Sequence, residues 1–223
     1  MSKKDRTMKK KQQLEQNSET HPAAGEDLVV VGTIGQTGCR VLLEAKKEEL
    51  SQRFSASYLQ RISEIQELRF SPGTDWMDEE GVTAMEPAEE GGIFRAIWEL
   101  SGKYEVGVAF RLRSIPIRQH TIEVCEQCGC NPYRLWCGNC LLLTVKNGGQ
   151  LVEKLNEQGY IASVIGRVTA KTVRLILHGE EPGYLERPRE DELYRLLGGE
   201  GVNRFKTYIF TKFHTKPQGG LLQ

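Results

Sequence analysis

The chain has 223 residues, with 30 basic side chains against 30 acidic ones and a formal net charge of zero. That length suits one sizeable domain, and the charge balance argues against a surface built to bind nucleic acid or an anionic membrane. Apolar residues make up 39% and charged residues 27%, as in ordinary globular proteins, and no apolar run approaches the ~20 residues of a membrane span.

Residues 1–25 read as a disordered, basic and polar tail. No apolar stretch follows Lys9-Lys10-Lys11, so no secretory leader is expected and the reading is cytoplasmic. In that compartment the six cysteines are read as thiols or metal ligands and not as disulfides. Order is expected from Asp27, where Leu28-Val29-Val30-Val31 predicts a buried strand ending at Gly32. Beyond Gly35 and Gly38, Val41, Leu42, Ala45 and Leu50 recur at helical spacing with Lys46, Lys47 and Glu48 outside. A second helix is predicted over 55–68, with Tyr58, Leu59, Ile62 and Ile65 on one face, before a Ser71-Pro72-Gly73 turn.

A short strand follows at 82–85. Gly91-Gly92 then opens a helix with Ile93, Phe94, Ile97, Trp98 and Leu100 as its apolar set, stopped near Gly102. Next come a strand over 106–112, a helix over 118–127, a buried strand over 141–145 and a helix over 151–158 capped by Gly159. Strands at 161–168 and 172–177 read as a hairpin across Thr169-Ala170-Lys171. Past Gly179 the chain turns polar, with a helical turn or two over 191–197 and Tyr208-Ile209-Phe210 as a late edge strand. Strands and helices interleave, which predicts an α/β (α+β) layered domain with a mixed β-sheet and packed helices. The expected organisation is a tail at 1–25, the domain at 26–180 and a partly ordered extension at 181–223.

Cys125-x-x-Cys128 and Cys137-x-x-Cys140 are two hooks of the kind zinc uses, with Cys130 between them. The first pair falls on a helix and the second at a turn, and the gap is short for a zinc ribbon. Packing is therefore the expected role, with zinc binding or redox sensing as the rival, and Cys39 reads as core. His120, His178 and His214 show no metal-binding spacing, and His120 is expected at the surface or as a cap. Trp98 is expected in the core, and Trp136 either over the cysteine cluster or simply packed.

Gly81-Val82-Thr83-Ala84-Met85, Glu90-Gly91-Gly92 and Ala96-Ile97-Trp98-Glu99-Leu100, in that order, form a pattern. It resembles the G-V-T-A-M-H-D-x-T-E-G-G-x-x-x-A-L-x-E-L signature of the C-terminal domain of aminoimidazole ribonucleotide (AIR) synthetase-related and hydrogenase-maturation dehydratase proteins. Collinear with it are Ile34-Gly35-Gln36-Thr37-Gly38, Ile115-Pro116-Ile117, Gly129-Cys130-Asn131-Pro132, Leu141-Leu142-Leu143 and Val164-Ile165-Gly166-Arg167-Val168. Downstream, Arg187-Pro188-Arg189-Glu190-Asp191-Glu192-Leu193-Tyr194 is similar to a P-x-x-D-E-L-Y/W element.

The resemblance implies a synthetase C-terminal-type fold with Glu90, Gly91 and Gly92 facing a shared cleft. It also implies that ATP and magnesium come from an N-terminal-type domain of comparable size, where this chain has only the tail. A separate ATP-binding partner chain is therefore expected, or a homodimer, with no cofactor or metal on this chain and no catalytic residue assigned.

One turn departs from the pattern. H-D-x-T-E-G-G reads Glu86-Pro87-Ala88-Glu89-Glu90-Gly91-Gly92. The glycine amides at a helix N-terminus still form an anion cradle, but the donors are replaced by carboxylates that repel phosphate. Glu89 and Glu90 are expected to cap that helix themselves. The function expected is a stand-alone C-terminal-type module, partner-dependent in ATP-dependent phosphoryl or ligase-type chemistry and not catalytic alone. The rivals are a degenerate interaction protein and a zinc-binding regulatory module.

Overall fold

Leu28, Val29, Val30 and Val31 are all fully buried, which requires cover on both faces of the strand they form, β1 (Asp27–Gly32). The cover comes from two different helices. A computed structural model describes residues 21–65, 76–178 and 181–214. The expected tail through Thr20, the far end of the second helix and the Ser71-Pro72-Gly73 turn lie outside them. Within the expected tail, His21–Gly25 runs beside the sheet, and the Gly25 amide donates to the Val168 carbonyl at 2.9 Å.

Seven strands form one sheet among the described residues, in the order β2-β4-β1-β5-β3-β6-β7. The others are β2 (Val82–Pro87), β3 (Gly107–Phe110), β4 (Cys140–Val145), β5 (Ala162–Thr169), β6 (Arg174–Ile176) and β7 (Gly183–Tyr184). β1 lies between β4 and β5, antiparallel to both. Alternation then splits its side chains. Leu28 and Val30 join Leu142, Val108, Phe110 and Ile165 on one face, and Val29 and Val31 join Leu141, Leu143 and Val145 on the other. The sheet is mixed, as expected, because β3 pairs antiparallel with β5 and parallel with β6.

The first face is closed by the helix at Gly92–Lys103, through Ile93, Ala96, Ile97 and Leu100. The second is closed by the helix at Gly148–Glu157, through Leu151 and Leu155. The remaining helices build a third cluster. In chain order the helices are α1 (Gln36–Ala45), α2 (Lys47–Ser51), α3 (Ala56–Glu64), α4 (Gly92–Lys103), α5 (Gln119–Cys128), α6 (Gly148–Glu157) and α7 (Glu192–His214). Leu42 and Leu50, Ile62, Val124 and Cys125, and Leu193 and Val202 unite α1, α2, α3, α5 and α7 in that cluster.

Four expectations change. The strands at 161–168 and 172–177 are not a hairpin, because β3 is inserted between β5 and β6. The turn joining them straddles the start of β3, and a Cβ on Gly107 would stand 1.6 Å from the Lys171 carbonyl oxygen. Residues 208–210 are helical within α7, which bends at Gly198 (φ 68°, ψ 169°), a conformation open essentially to glycine. The single helix expected after Gly38 is two, broken at Lys46. Trp98 is half-buried instead of core, with the Arg174 guanidinium 4.0 Å above its ring.

The β1–β5 ladder slips between Leu28 and Val29, which face Gly166 and Val164 and leave Ile165 as the extra residue of a bulge. Gly166 also faces Phe110 across β3, and a Cβ there would lie 2.1 Å from the Ala109 carbonyl oxygen and 2.6 Å from Phe110 Cα. Backbone on both sides cannot yield cheaply. Gly166→Ala is expected to lower unfolding stability by about 3 kcal/mol, the upper end of ordinary overpacking costs, read as a shifted urea midpoint. An unchanged midpoint would mean the β3–β5 contact is looser than described.

Candidate functional site

Two glycine turns open α1 and α4 side by side. Gly35 (φ 71°) precedes α1, and Gly91 (φ 88°) with Gly92 (φ 69°) opens α4. Such turns leave backbone N–H groups at the positive end of a helix, ready for an anion. Here the amides of Gly35, Thr37, Gly38, Gly91 and Gly92 already have partners within the protein.

The segment 132–138 lies between the two turns. On the α1 side, the Thr37 amide donates to the Cys137 carbonyl at 3.2 Å and the Gly38 amide to the Trp136 carbonyl at 2.9 Å. The Gly35 amide donates to Cys137 Sγ at 3.3 Å. Gly38 carries no Cβ because Leu135 fills the space, with its Cγ 2.3 Å from where that atom would stand. On the α4 side, a Cβ on Gly92 would lie 2.6 Å from the Tyr133 carbonyl oxygen and 2.9 Å from that of Leu135. The Cys137 amide donates to the Glu89 carbonyl at 3.3 Å and the Gly138 amide to that of Ala88 at 3.1 Å. Asn131 starts this segment by accepting from the Tyr133 amide at 3.0 Å, with Pro132 fixing the first turn.

The amide of Gly91 goes further afield. It donates to Asp191 Oδ2 at 2.7 Å, and Asp191 Oδ1 accepts from the Leu193 amide at 3.0 Å. One buried carboxylate thus joins the start of α4 to the start of α7. Burial pushes the Asp191 carboxyl up to about 6, against the two amide hydrogen bonds that favour its charge, with Glu90 and Glu192 adding repulsion.

The three expected site residues are brought together, but in changed roles. Gly91 and Gly92 hold internal partners, and Glu90 pairs with Lys206 Nζ at 2.8 Å. Lys206 also bonds the Tyr194 hydroxyl at 2.6 Å and stands 5.9 Å from the centre of the Trp136 ring. The Glu90 carboxylate, helped by Tyr194, holds the Lys206 ammonium above its ordinary range. Neither Glu89 nor Glu90 caps α4, contrary to expectation: Glu89 Oε2 accepts from Trp136 Nε1 at 3.1 Å, and α4 has no side-chain cap at Gly91. The half-buried Glu86 carboxyl is raised by desolvation.

The two cysteine hooks part company. Cys125 and Cys128 lie in the helical cluster, whereas Cys137 and Cys140 lie in the cluster between the sheet and α4. Among the described residues, no group of three or more His, Cys, Asp or Glu is placed to hold a metal ion. The four-thiolate arrangement of the zinc reading is therefore not formed. His120 is half-buried and lines a shallow pocket with Gln36, Cys39, Arg40, Leu43, Ile62 and Ile65, and burial lowers its imidazole below the ordinary value.

This architecture defines the chain as an α/β domain of the AIR synthase-like fold. The hydrogenase maturation protein HypE of E. coli superposes with a TM-score of 0.60 at 20% identity, over 79% of this chain and 54% of that one. A HypE–HypF complex gives 0.56 at 18% identity, over 76% and 55%. Thiamine-monophosphate kinase from Stenotrophomonas maltophilia K279a gives 0.52 at 13% identity, over 67% and 49%. At these identities the shared property is the fold, and the chain spans about half the length of each of these structures. No family model and no curated protein matches the sequence. No described helix is long and apolar enough to cross a membrane.

Asp191 makes stability depend on pH with a definite sign. Its folded-state value lies above the ordinary 3.8, so the folded protein holds this proton more tightly than the unfolded chain. The contribution is complete below about pH 4 and is lost as pH rises through about 6. Relative to Asp191→Asn, wild-type stability is expected to fall by up to about 3 kcal/mol from about pH 4 to about pH 7. Paired denaturation curves check this, and parallel pH profiles for the two proteins would refute it.

Proposed function

We propose that this chain is a C-terminal-type module of the AIR synthase-like kind that performs no phosphoryl chemistry alone. It would act with a nucleotide-handling partner chain in ATP-dependent phosphoryl or ligase-type chemistry, with ATP and magnesium held by that partner. The observation that carries this reading is the 2.7 Å bond from Gly91 to Asp191. The amide that a bound phosphate would need is already paired with an internal anion. Glu90 beside it adds charge of the wrong sign for a phosphate. The solved HypE–HypF complex, whose HypE shares the fold, adds support for work in an assembly.

A second reading is a non-catalytic interaction module, present as a homodimer. The same closed cradle favours it, since a site filled by the protein's own groups has no need of nucleotide. Native mass spectrometry of the purified chain distinguishes the two, because a stable dimer that ignores nucleotide supports the second reading and a monomer supports the first.

Wild-type protein with ATP and magnesium is expected to show no nucleotide-loaded species, and a loaded species would overturn both readings. Asp191→Ala frees the Gly91 amide. Inorganic phosphate is then expected to raise the melting temperature of the variant and not of the wild type, by roughly 2–4 °C for each kcal/mol of binding. An equal rise in both proteins would show that the cradle is not where phosphate meets this chain.

A further inference from the structure

Helix α5 ends in an arrangement that brings two sulfurs together. Gly129 takes the left-handed conformation (φ 62°), and its amide donates to the Glu126 carbonyl at 3.2 Å. The Cys130 amide reaches back to the Cys125 carbonyl at 2.9 Å. These two bonds make a Schellman cap, which places the side chain of the third helical residue from the end against that of the second residue beyond it. Here those residues are Cys125 and Cys130. Both pack in the same apolar cluster, and the two thiols lie close enough to perturb one another.

The pair is asymmetric. Cys125 is buried, while Cys130 is half-buried and reachable from solvent. Arg195, on the first segment of α7, bonds the Gly129 carbonyl at 2.6 Å and sets its positive charge beside Cys130, with Asp191 and Glu192 opposing it. The interaction with Cys125 holds the Cys130 thiol below its usual range and raises the Cys125 thiol. Burial pushes the two other nearby thiols up, Cys128 to about 11 and Cys39 to about 12. One half-buried, more acidic sulfur with a second, buried sulfur behind it is the arrangement of an attacking and a resolving thiol.

We propose that Cys125 and Cys130 are a redox-active dithiol, oxidised to an intrachain disulfide by a low-molecular-weight disulfide such as glutathione disulfide. The Cys130 thiolate attacks one sulfur of the glutathione disulfide. A mixed disulfide forms on Cys130, the glutathione S–S bond breaks, and one glutathione leaves and takes up a proton. Cys125, its proton released to solvent, attacks the Cys130 sulfur and expels the second glutathione, which is protonated in turn. Two protein thiols are oxidised and one glutathione disulfide is reduced to two thiols, so electrons and protons balance. Excess reduced glutathione reverses the sequence.

The test incubates the full chain in glutathione buffers of rising disulfide content, blocks remaining thiols and weighs the tryptic peptide 119–134, which holds Cys125, Cys128 and Cys130. Wild type and Cys128→Ser are expected to lose two hydrogens from this peptide. Cys125→Ser is expected to stop at a glutathione adduct on Cys130. Cys130→Ser is expected to form neither product, and because Cys130 is half-buried this variant carries the test even where the buried change impairs folding. A wild-type peptide that keeps its thiols in glutathione disulfide alone would overturn the proposal, as would loss of the cross-link in Cys128→Ser.

Discussion

The carboxylate of Asp191 ties the last helical element to the first turn of α4, and the arrangement of the site depends on it. Its two oxygens take one amide each from helices that begin 100 residues apart in sequence, Gly91 for α4 and Leu193 for α7. A helix N-terminus with unsatisfied N–H groups attracts an anion. When the anion is a side chain of the same chain, its local concentration is set by the fold, and a free ligand must displace it. The 132–138 segment satisfies the neighbouring α1 turn by the same logic, with backbone carbonyls and the Cys137 sulfur in place of a carboxylate. Both openings that could receive a phosphate are therefore part of the folded structure's own hydrogen bonding.

Much of the fold was legible because its signals are local. Runs such as Leu28 to Val31 and Leu141 to Leu143 announce strands covered on both faces, and Gly129 and Gly159 mark real helix ends, each with positive φ. The order of strands was less so. Nothing in the residues 161–177 says that β3 will separate β5 from β6, because that depends on a pairing made with a strand some sixty residues upstream. The edge strand expected at 208–210 lost to helix because only the short apolar run was visible, whereas the helical register starts at Glu192 and restarts after Gly198.

The candidate site was half legible. Gly91 and Gly92 stand out in sequence as a helix-opening pair, and the carboxylates around them signal that the cradle is altered. What fills it was missed. Asp191 carries the mark of a helix start, an Asp two residues before Leu193, and that half of its role is visible. Its second bond, to Gly91, is a tertiary contact with no periodic signature. Trp136 does pack in one cluster with Cys125 and Cys128, but the bond from its indole N–H to Glu89 carries no signal in the sequence. Lys206 had no signal at all, since a single lysine in a polar segment says nothing about an acidic partner at Glu90. The two cysteine hooks, expected to pack, lie in two separate apolar clusters. Spacing reports only what a chain could bring together, and here Leu135 and Trp136 carry the second hook to another face of the fold.

The competition at Asp191 also explains why a carboxyl pushed up to about 6 still serves as the plug. Burial opposes its charge, and the two amides with their helix dipoles favour it. Burial outweighs the amides, yet at neutral pH the carboxyl is still largely ionised, so the plug keeps its charge at a cost that an ordinary aspartate at a helix start does not bear. A group so placed is sensitive to what surrounds the first segment of α7. Arg195–Gly129 holds that segment directly, and Lys206, beyond the Gly198 bend, links it to Glu90 through the Tyr194 hydroxyl. Anything that loosens them separates the carboxylate from Gly91 and returns the amide to the condition in which helix N-termini bind external anions. The closed cradle and the covering helix are in this sense one structural feature, because the anion that fills the first is carried by the second.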